Sequence, residues 1–372
     1  MLFRSFPTTT GVLDQKADFR KYAPHLWTLP QWLRRHGYFT ARISKVLHDG
    51  LDDYPSWTFI GDDLQFLPEH GPSPQAPSPI VARFPQLSEN QRDDSFRDEQ
   101  TADRAIHLLE QVRRRPFFLA VGLRKPHVPL AAPTRFVDRF RPEDVRLPES
   151  FASDKSQVKG VPALALRENI DIFPNGEVAE KDARAAIAMY LACVAFADEQ
   201  IGRILDALRR LELEERTIVV LTSDHGWHQG EKGMWTKPSL YEPALRVPLI
   251  IACPGQAGDS RACPRTVELM DLFPTLCELC GVEKPRQLDG VSLAPLLADV
   301  DAEWDRPAVS LWREDRGRSI RTERYRYTEF DRGLSGKELY DYERDPNELH
   351  NVADEPAYSD VLVDRKSTRL NS

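Results

Sequence analysis

Four aliphatic residues, Ile218-Val-Val-Leu221, give way abruptly to Thr222-Ser-Asp-His-Gly226 and then to a loop of histidines, glycines and lysines that ends at Lys237. An apolar run without polar alternation reads as a strand covered on both faces, the pattern of a parallel sheet flanked by helices. Open sheets of that kind bind their ligands beyond the carboxyl ends of the strands. Asp224 and His225 are therefore expected at a chemically used edge. Gly226, Gly230 and Gly233 allow tight turns or close backbone approach, and His228, Glu231, Lys232 and Lys237 add polar side chains. The plain alternative is a solvated loop. Lys232 reads as a solvated charge, and His228 is left open between structure and ligand binding.

The rest of the chain supports such a sheet. Trp27 to Gly37 reads as a helix capped by Thr28, entered through Pro30 and closed by Gly37, with Tyr38 to Ile43 strand-like after it. Residues 56–94 are rich in Pro, Ser and Asp and read as a surface excursion. Asp98 to Val112 is helical, Phe117 to Val121 a buried strand, and Gly122-Leu-Arg-Lys-Pro-His-Val-Pro129 a cationic loop on its end. Asp182 to Leu211 carries Ile187, Tyr190, Leu191, Val194, Ile201, Ile204, Leu205 and Leu208 at helical spacing. Val247 to Ala252 is a further strand and Val267 to Gly281 a helix. Helices alternating with buried strands predict an α/β fold with a doubly wound, mostly parallel sheet over residues 1–307. From about Ala308 the pattern turns antiparallel. Ser319 to Phe330 alternates as one strand with Glu338 to Tyr342 as its partner, giving a small carboxyl-terminal subdomain over 308–364. Residues 365–372 carry no pattern and read as a non-native tail.

A net charge of −8 and a pI near 5.7 exclude a general nucleic-acid surface but not a small basic pocket. Arg113-Arg-Arg115 reads as a solvated helix end. No apolar run approaches the roughly 20 residues that span a bilayer, so no membrane span is expected. The five cysteines are too few and too scattered for a disulfide framework, and Cys277-Glu-Leu-Cys280 suits a buried helical face. No charged start with an apolar stretch and cleavage site marks a signal peptide.

Gathered together, the strand-end side chains are Lys45 and His48, Lys125 and His127, Asp224 and His225, and Lys237. One acid among six potential cations suits the grip of an oxyanion. Cleavage of a sulfate or phosphate ester needs cations on the equatorial oxygens, a hard metal and an acid for the leaving oxygen. Here the chain resembles the sulfatases of the alkaline phosphatase superfamily, most closely their iduronate-2-sulfatase-like branch. The resemblance runs from Pro7 to about Ala353. It is carried by Pro7-Thr-Thr-Thr-Gly-Val12, Thr28-Leu-Pro-Gln-Trp-Leu33, Ser44-Lys-Val-Leu-His48, Gly122 to Pro129, Ser223-Asp-His-Gly-Trp-His228 through Trp235-Thr-Lys237, and Glu338-Leu-Tyr-Asp341 with Asn351.

That resemblance implies hydrolysis of a sulfate ester on a sulfated small molecule or glycosaminoglycan-type sugar, in a periplasmic, secreted or lysosomal setting. It implies that Asp224 and His225 bind one calcium ion, that Lys45, His48 and Lys237 hold the sulfate oxygens, and that His127 is the general acid. Lys125 and Arg124 would meet a substrate carboxylate. Read alone, His48 could equally cap a turn. The family places a Cys- or Ser-x-Pro-x-Arg motif, the source of its formylglycine nucleophile, ahead of the segment matching Pro7-Thr-Thr-Thr-Gly11. This sequence has no such motif: Ser5 is followed by Phe6, Pro7 and Thr8. The first strand with its paired acids is likewise missing, so the expectation is an incomplete sulfatase, inactive as written. A phosphoesterase of the same superfamily and a noncatalytic glycan-binding remnant are the alternatives.

Overall fold

Thr28, Pro30 and Gly37 shape the first clear helix as their chemistry dictates. The Thr28 hydroxyl accepts from Gln31 N at 3.2 Å, Pro30 sits in the first turn of α1 (Leu29–Arg35), and Gly37 leaves it at φ 88°. The computed structural model describes residues 10–12, 17–48, 51–61, 97–174, 177–255, 261–286, 288–313 and 316–363. The start of the Pro7 to Val12 motif, most of the 56–94 excursion and the 365–372 tail lie outside the described residues. Two compact bodies emerge, one mainly of Gln15–Leu147 and Ala179–Ile218, the other mainly of Pro148–Val178 and Val219–Ser372.

In the first body, β1 (Phe39–Ser44) is the middle of a parallel sheet ordered β2-β1-β3, with β2 at Phe59–Gly61 and β3 at Phe117–Gly122. Ala41 and Ile43 bury against Leu108 and Val112 of α2 (Arg97–Val112), joined by Phe39, Phe117 and Leu119. This is the helix-on-parallel-sheet layer the alternating pattern predicts. Arg113 to Arg115 are exposed beyond α2, as expected.

The 31-residue α3 (Glu180–Arg210) packs along α2, with ion pairs Arg203–Asp103 and Arg210–Glu110 across the seam. Its buried face matches the expected one only in part: Ile187 and Leu208 are buried as expected. Ala183, Ala186, Ala192, Cys193 and Phe196 are buried, while Leu191, Val194 and Leu205 are exposed at 36%, 41% and 37%. Small residues let a neighbouring backbone come close, so the contact side was marked by alanines, whereas spacing arguments favour the large aliphatic side chains. Among the described residues α3 alone is long and apolar enough to cross a membrane, and half of that apolar window is buried inside the protein. Helix-on-helix packing accounts for that burial.

In the second body, β4 (Val219–Thr222) pairs antiparallel with β5 (Leu249–Ala252), so among the described residues the parallel pairing belongs to β1, β2 and β3. The helix expected from Val267 begins five residues later, as α4 (Leu272–Leu279). Ahead of it a 3-10 turn, Leu269–Asp271, is closed by a reciprocal capping box between Glu268 and Asp271. Cys277 is fully buried, its thiol pushed up to about 12 by burial, which fits the structural reading of that pair.

The carboxyl-terminal sheet has four antiparallel strands in sequence order: β6 (Ala308–Trp312), β7 (Gly317–Arg321), β8 (Tyr325–Phe330) and β9 (Lys337–Asp341). The single strand expected over Ser319 to Phe330 is therefore two. Thr322 makes the turn, donating its N–H to Tyr325 O at 2.8 Å and accepting Tyr325 N–H on its hydroxyl at 3.1 Å. Alternation continues through a turn that has neither Gly nor Pro, so the pattern alone hides it. Arg326, almost fully buried on β8, pairs with Glu348 at 2.8 Å and with Glu242, and Tyr342 donates to Glu348 at 2.6 Å. Burial opposes the charge on Arg326, but Glu348, Tyr342 and Glu242 outweigh it and raise its pKa. Glu338 and Asn351, carriers of the family resemblance, are structural. Glu338 accepts from Tyr241 and Tyr340 hydroxyls at 2.6 and 2.7 Å, and Asn351 accepts Leu339 N–H at 3.0 Å.

Candidate active site

Strand pairing carries two of the cationic segments to one sheet edge. Ser44, last residue of β1, pairs with Gly122, last residue of β3, so Lys45 and the Arg124 to His127 loop leave the sheet side by side. The fit is tight. A Cβ on Gly122 would lie 1.8 Å from the Lys45 carbonyl oxygen, so only glycine lets the chain pass, and Ser44 adopts φ 60° as the strand turns away. His48 is exposed near the end of this segment, and its carbonyl accepts Leu51 N–H at 3.0 Å.

The loop after β3 is clamped by a residue that sequence reasoning missed. Asp98, buried in the first turn of α2, takes Arg124 N–H on one oxygen at 2.7 Å and Lys125 N–H on the other at 2.8 Å. Burial raises its pKa, against the lowering effect of those two bonds. Its place in an acidic first turn, Asp98-Glu99, was the only signal in the sequence, and that reads equally as a dipole partner. Lys125 and Val128 each precede a cis-proline, and Lys125 Nζ donates to Pro129 O at 2.7 Å. His127 is exposed, with Nδ1 2.6 Å from Val128 O. The tautomer that puts Nδ1–H on that carbonyl leaves the lone pair of the neutral ring on Nε2. Arg124 takes part through its backbone, donating to Asp98 and accepting His127 N–H at 2.8 Å.

In the second body, Asp224 and His225 follow directly on β4. Asp224 has an exposed side chain, and His225 Nε2 lies 3.6 Å from its carboxylate while Nδ1 lies 2.7 Å from Gly226 O. Gly226 is pressed against the turn that follows Tyr241: a Cβ there would be 2.1 Å from Pro243 O. Lys237 is half-buried at the end of the same loop. His228 is structural, fully buried with Nε2 2.7 Å from Ser239 Oγ, and burial lowers its pKa to about 3, so it is neutral. Lys232 corrects the sequence reading. Instead of being solvated, it is 5% exposed, its ammonium bonded to Glu348 O and set 5.0 Å from the Tyr241 ring and 5.6 Å from that of Tyr340. A left-handed φ of 52° between Gly230 and Gly233 turns it inward, which an isolated K in a polar loop does not announce.

Calcium takes six to eight oxygen ligands. Asp224 and His225 offer one carboxylate and one imidazole, and no group of three or more His, Cys, Asp or Glu suited to a metal occurs among the described residues. This donor set does not fit calcium.

Residues 1–282 match the sulfatase family, and residues 230–371 match the carboxyl-terminal family of N-sulphoglucosamine sulphohydrolase. The chain is 30% identical to human iduronate 2-sulfatase over 460 residues, covering 96% of itself and 82% of that protein. It is 30% identical to a delta 4,5-hexuronate-2-O-sulfatase of Bacteroides thetaiotaomicron over 305 residues, 78% of this chain and 63% of the other. A solved 2-O GAG sulfatase superposes with a TM-score of 0.77 at 25% identity, over 100% of this chain and 79% of its own.

Proposed function

The chain belongs to the sulfatase family, and from that premise we propose that it serves the hydrolysis of a sulfate ester on a sulfated sugar. One observation carries the reading. The register of β1 with β3 brings Lys45 out beside the Asp98-clamped loop of Lys125 and His127, which concentrates positive charge at the sheet edge where an oxyanion binds. Relatives named for sulfated uronic acids supply the substrate class.

Lys45 and His48 would hold sulfate oxygens, and Lys237 would have the same task. Their charge offsets what builds up on the sulfuryl oxygens as the S–O bond breaks. His127, protonated, would hold Nδ1–H on Val128 O and pass the Nε2 proton to the departing sugar oxygen. Lys125, whose ammonium is partly engaged by Pro129 O, and Arg124 would meet a sugar carboxylate. In the family a formylglycine hydrate supplies the nucleophile. The 372 residues contain no Cys- or Ser-x-Pro-x-Arg motif, and the described donors do not fit calcium, so on this reading these residues supply the sulfate grip and the general acid of that hydrolysis but not its nucleophile, and do not turn the ester over by themselves.

Calorimetric titration with phenyl sulfate tests the grip. Lys45→Ala and Lys237→Ala should each weaken binding about tenfold, the worth of one charged hydrogen bond. Unaltered affinity in both variants would remove the reading, and measurable release of 4-nitrophenol from its sulfate by the 372-residue chain would refute the claim that these residues lack the nucleophile.

A further inference from the structure

Trp312, the last residue of β6, carries two guanidinium groups. Arg167 lies 3.9 Å and Arg313 5.0 Å from its ring centroid. Stacking on tryptophan is a common way to pack arginine, and it leaves the N–H donors at the plane's edge available. Two features go beyond packing. Arg167 Nε is buried and has no hydrogen-bond partner among the described residues, and its Nη1 reaches only Leu164 O at 3.5 Å. Such an unmade bond is costly unless something supplies the acceptor.

The second feature is charge. Arg313 and Arg316 stand near Arg167, and among the described residues Glu168 is the acid that works to keep it charged, while Asp331 is bonded at 2.8 Å to Arg316. Burial, then repulsion by Arg313, lowers the Arg167 pKa. A group of like charges held together in this way is stabilised by an incoming anion.

The place is telling. Arg167 N–H donates to Met234 Sδ at 3.3 Å, three residues before Lys237, and Trp312 packs with Leu240, Tyr241 and Met234 in one apolar cluster. The paired arginines thus adjoin the loop that ends in Lys237.

We propose that Arg167 and Arg313, both held on Trp312, form a second anion-binding site that takes a carboxylate or further sulfate group of a polyanionic sugar. This rests on the sulfated-sugar reading above and sharpens it: the preferred ligand carries at least two negative groups. Planar, bidentate guanidinium recognition suits either oxyanion.

The test compares three ligands by calorimetry on the full chain: phenyl sulfate, a 2-O-sulfated uronate glycoside, and a disulfated glucosamine. Arg313 is exposed, so Arg313→Ala should fold, and Arg167→Gln is the second variant. Each should lower the affinity ratio of dianion over phenyl sulfate about tenfold, for the uronate if the site takes a carboxylate, for the disulfated sugar if it takes sulfate. Equal ratios in wild type and Arg313→Ala for both dianions, or no wild-type preference for either dianion, would overturn the proposal. Lys237→Ala separates the two readings. It should weaken all three ligands together, and if it weakens none while Arg313→Ala still changes the ratio, the sulfate grip fails and the second site stands.

Discussion

Replacing Arg326 by Met should destabilise the second body severely. Arg326 and Glu348 are each 2% exposed at the side chain, 2.8 Å apart, with Glu242 and the Tyr342 hydroxyl on the same guanidinium. Removing one partner of a buried pair leaves the other charge uncompensated, typically about 3–5 kcal/mol. The lower end is expected, because Glu348 keeps Tyr342 OH at 2.6 Å and Glu242 N–H at 3.0 Å, and Glu242 keeps Arg321 at 3.4 Å. Urea unfolding followed by tryptophan fluorescence at pH 7.5 gives the figure. Stranded carboxylates also set its pH dependence. In the wild type Arg326 helps hold the Glu242 carboxyl below its ordinary 4.5 against burial, a contribution to stability that is present above that value and lost as pH falls through the folded pKa, and the variant forfeits it. The deficit should therefore be full at pH 7.5 and shrink as pH falls below about 4.5. Arg316→Met, which breaks a half-exposed pair with Asp331, is the contrast at about 0–1 kcal/mol. A loss below about 1 kcal/mol for Arg326→Met, or a deficit that ignores pH, would refute this account of the network.

His228 should impose an acid limit. Folded it titrates at about 3 against 6.5 unfolded, so the unfolded chain binds the extra proton between those values and stability falls as pH drops from 6.5 toward 3. Melting curves of His228→Asn should fall less steeply over that range, and a parallel course would contradict the assignment. Glu338, which burial lifts to about 7 from 4.5, acts oppositely: its folded proton is lost as pH rises through 7, and Glu338→Gln should lessen the decline between pH 5 and 7.5. Asp98→Asn replaces two acceptor oxygens with one, leaving the N–H of Arg124 or Lys125 unpaired at about 1–3 kcal/mol of local order. Hydrogen exchange at those two amides should quicken, and unchanged protection would show that the clamp is idle.

How far the sequence reached depends on what each feature looks like in one dimension. Helix α1 is written in Thr28, Pro30 and Gly37, and the cationic loops stand where strands visibly end. The inward turn of Lys232, the burial of His228 and the clamp by Asp98 depend on partners 116, 11 and 26 residues away. No local pattern carries such distances. The contact side of α3 was legible only at Ile187 and Leu208, since alanine signals close approach as readily as it signals nothing. The split of β7 from β8 was hidden by Thr322, whose hydroxyl does the work of a turn glycine.

Gly122 blurs the line between a chemical and a mechanical residue. It has no side chain to offer a substrate, yet the Lys45 carbonyl occupies the space where one would be. In a screen scored by sulfate-ester binding, alanine at 122 would be grouped with losses of Lys45 itself, although it deletes no functional group. What the screen would register is spacing: on the proposed reading the anion grip is set by how closely two backbones can lie, and a single methyl group would be enough to change it.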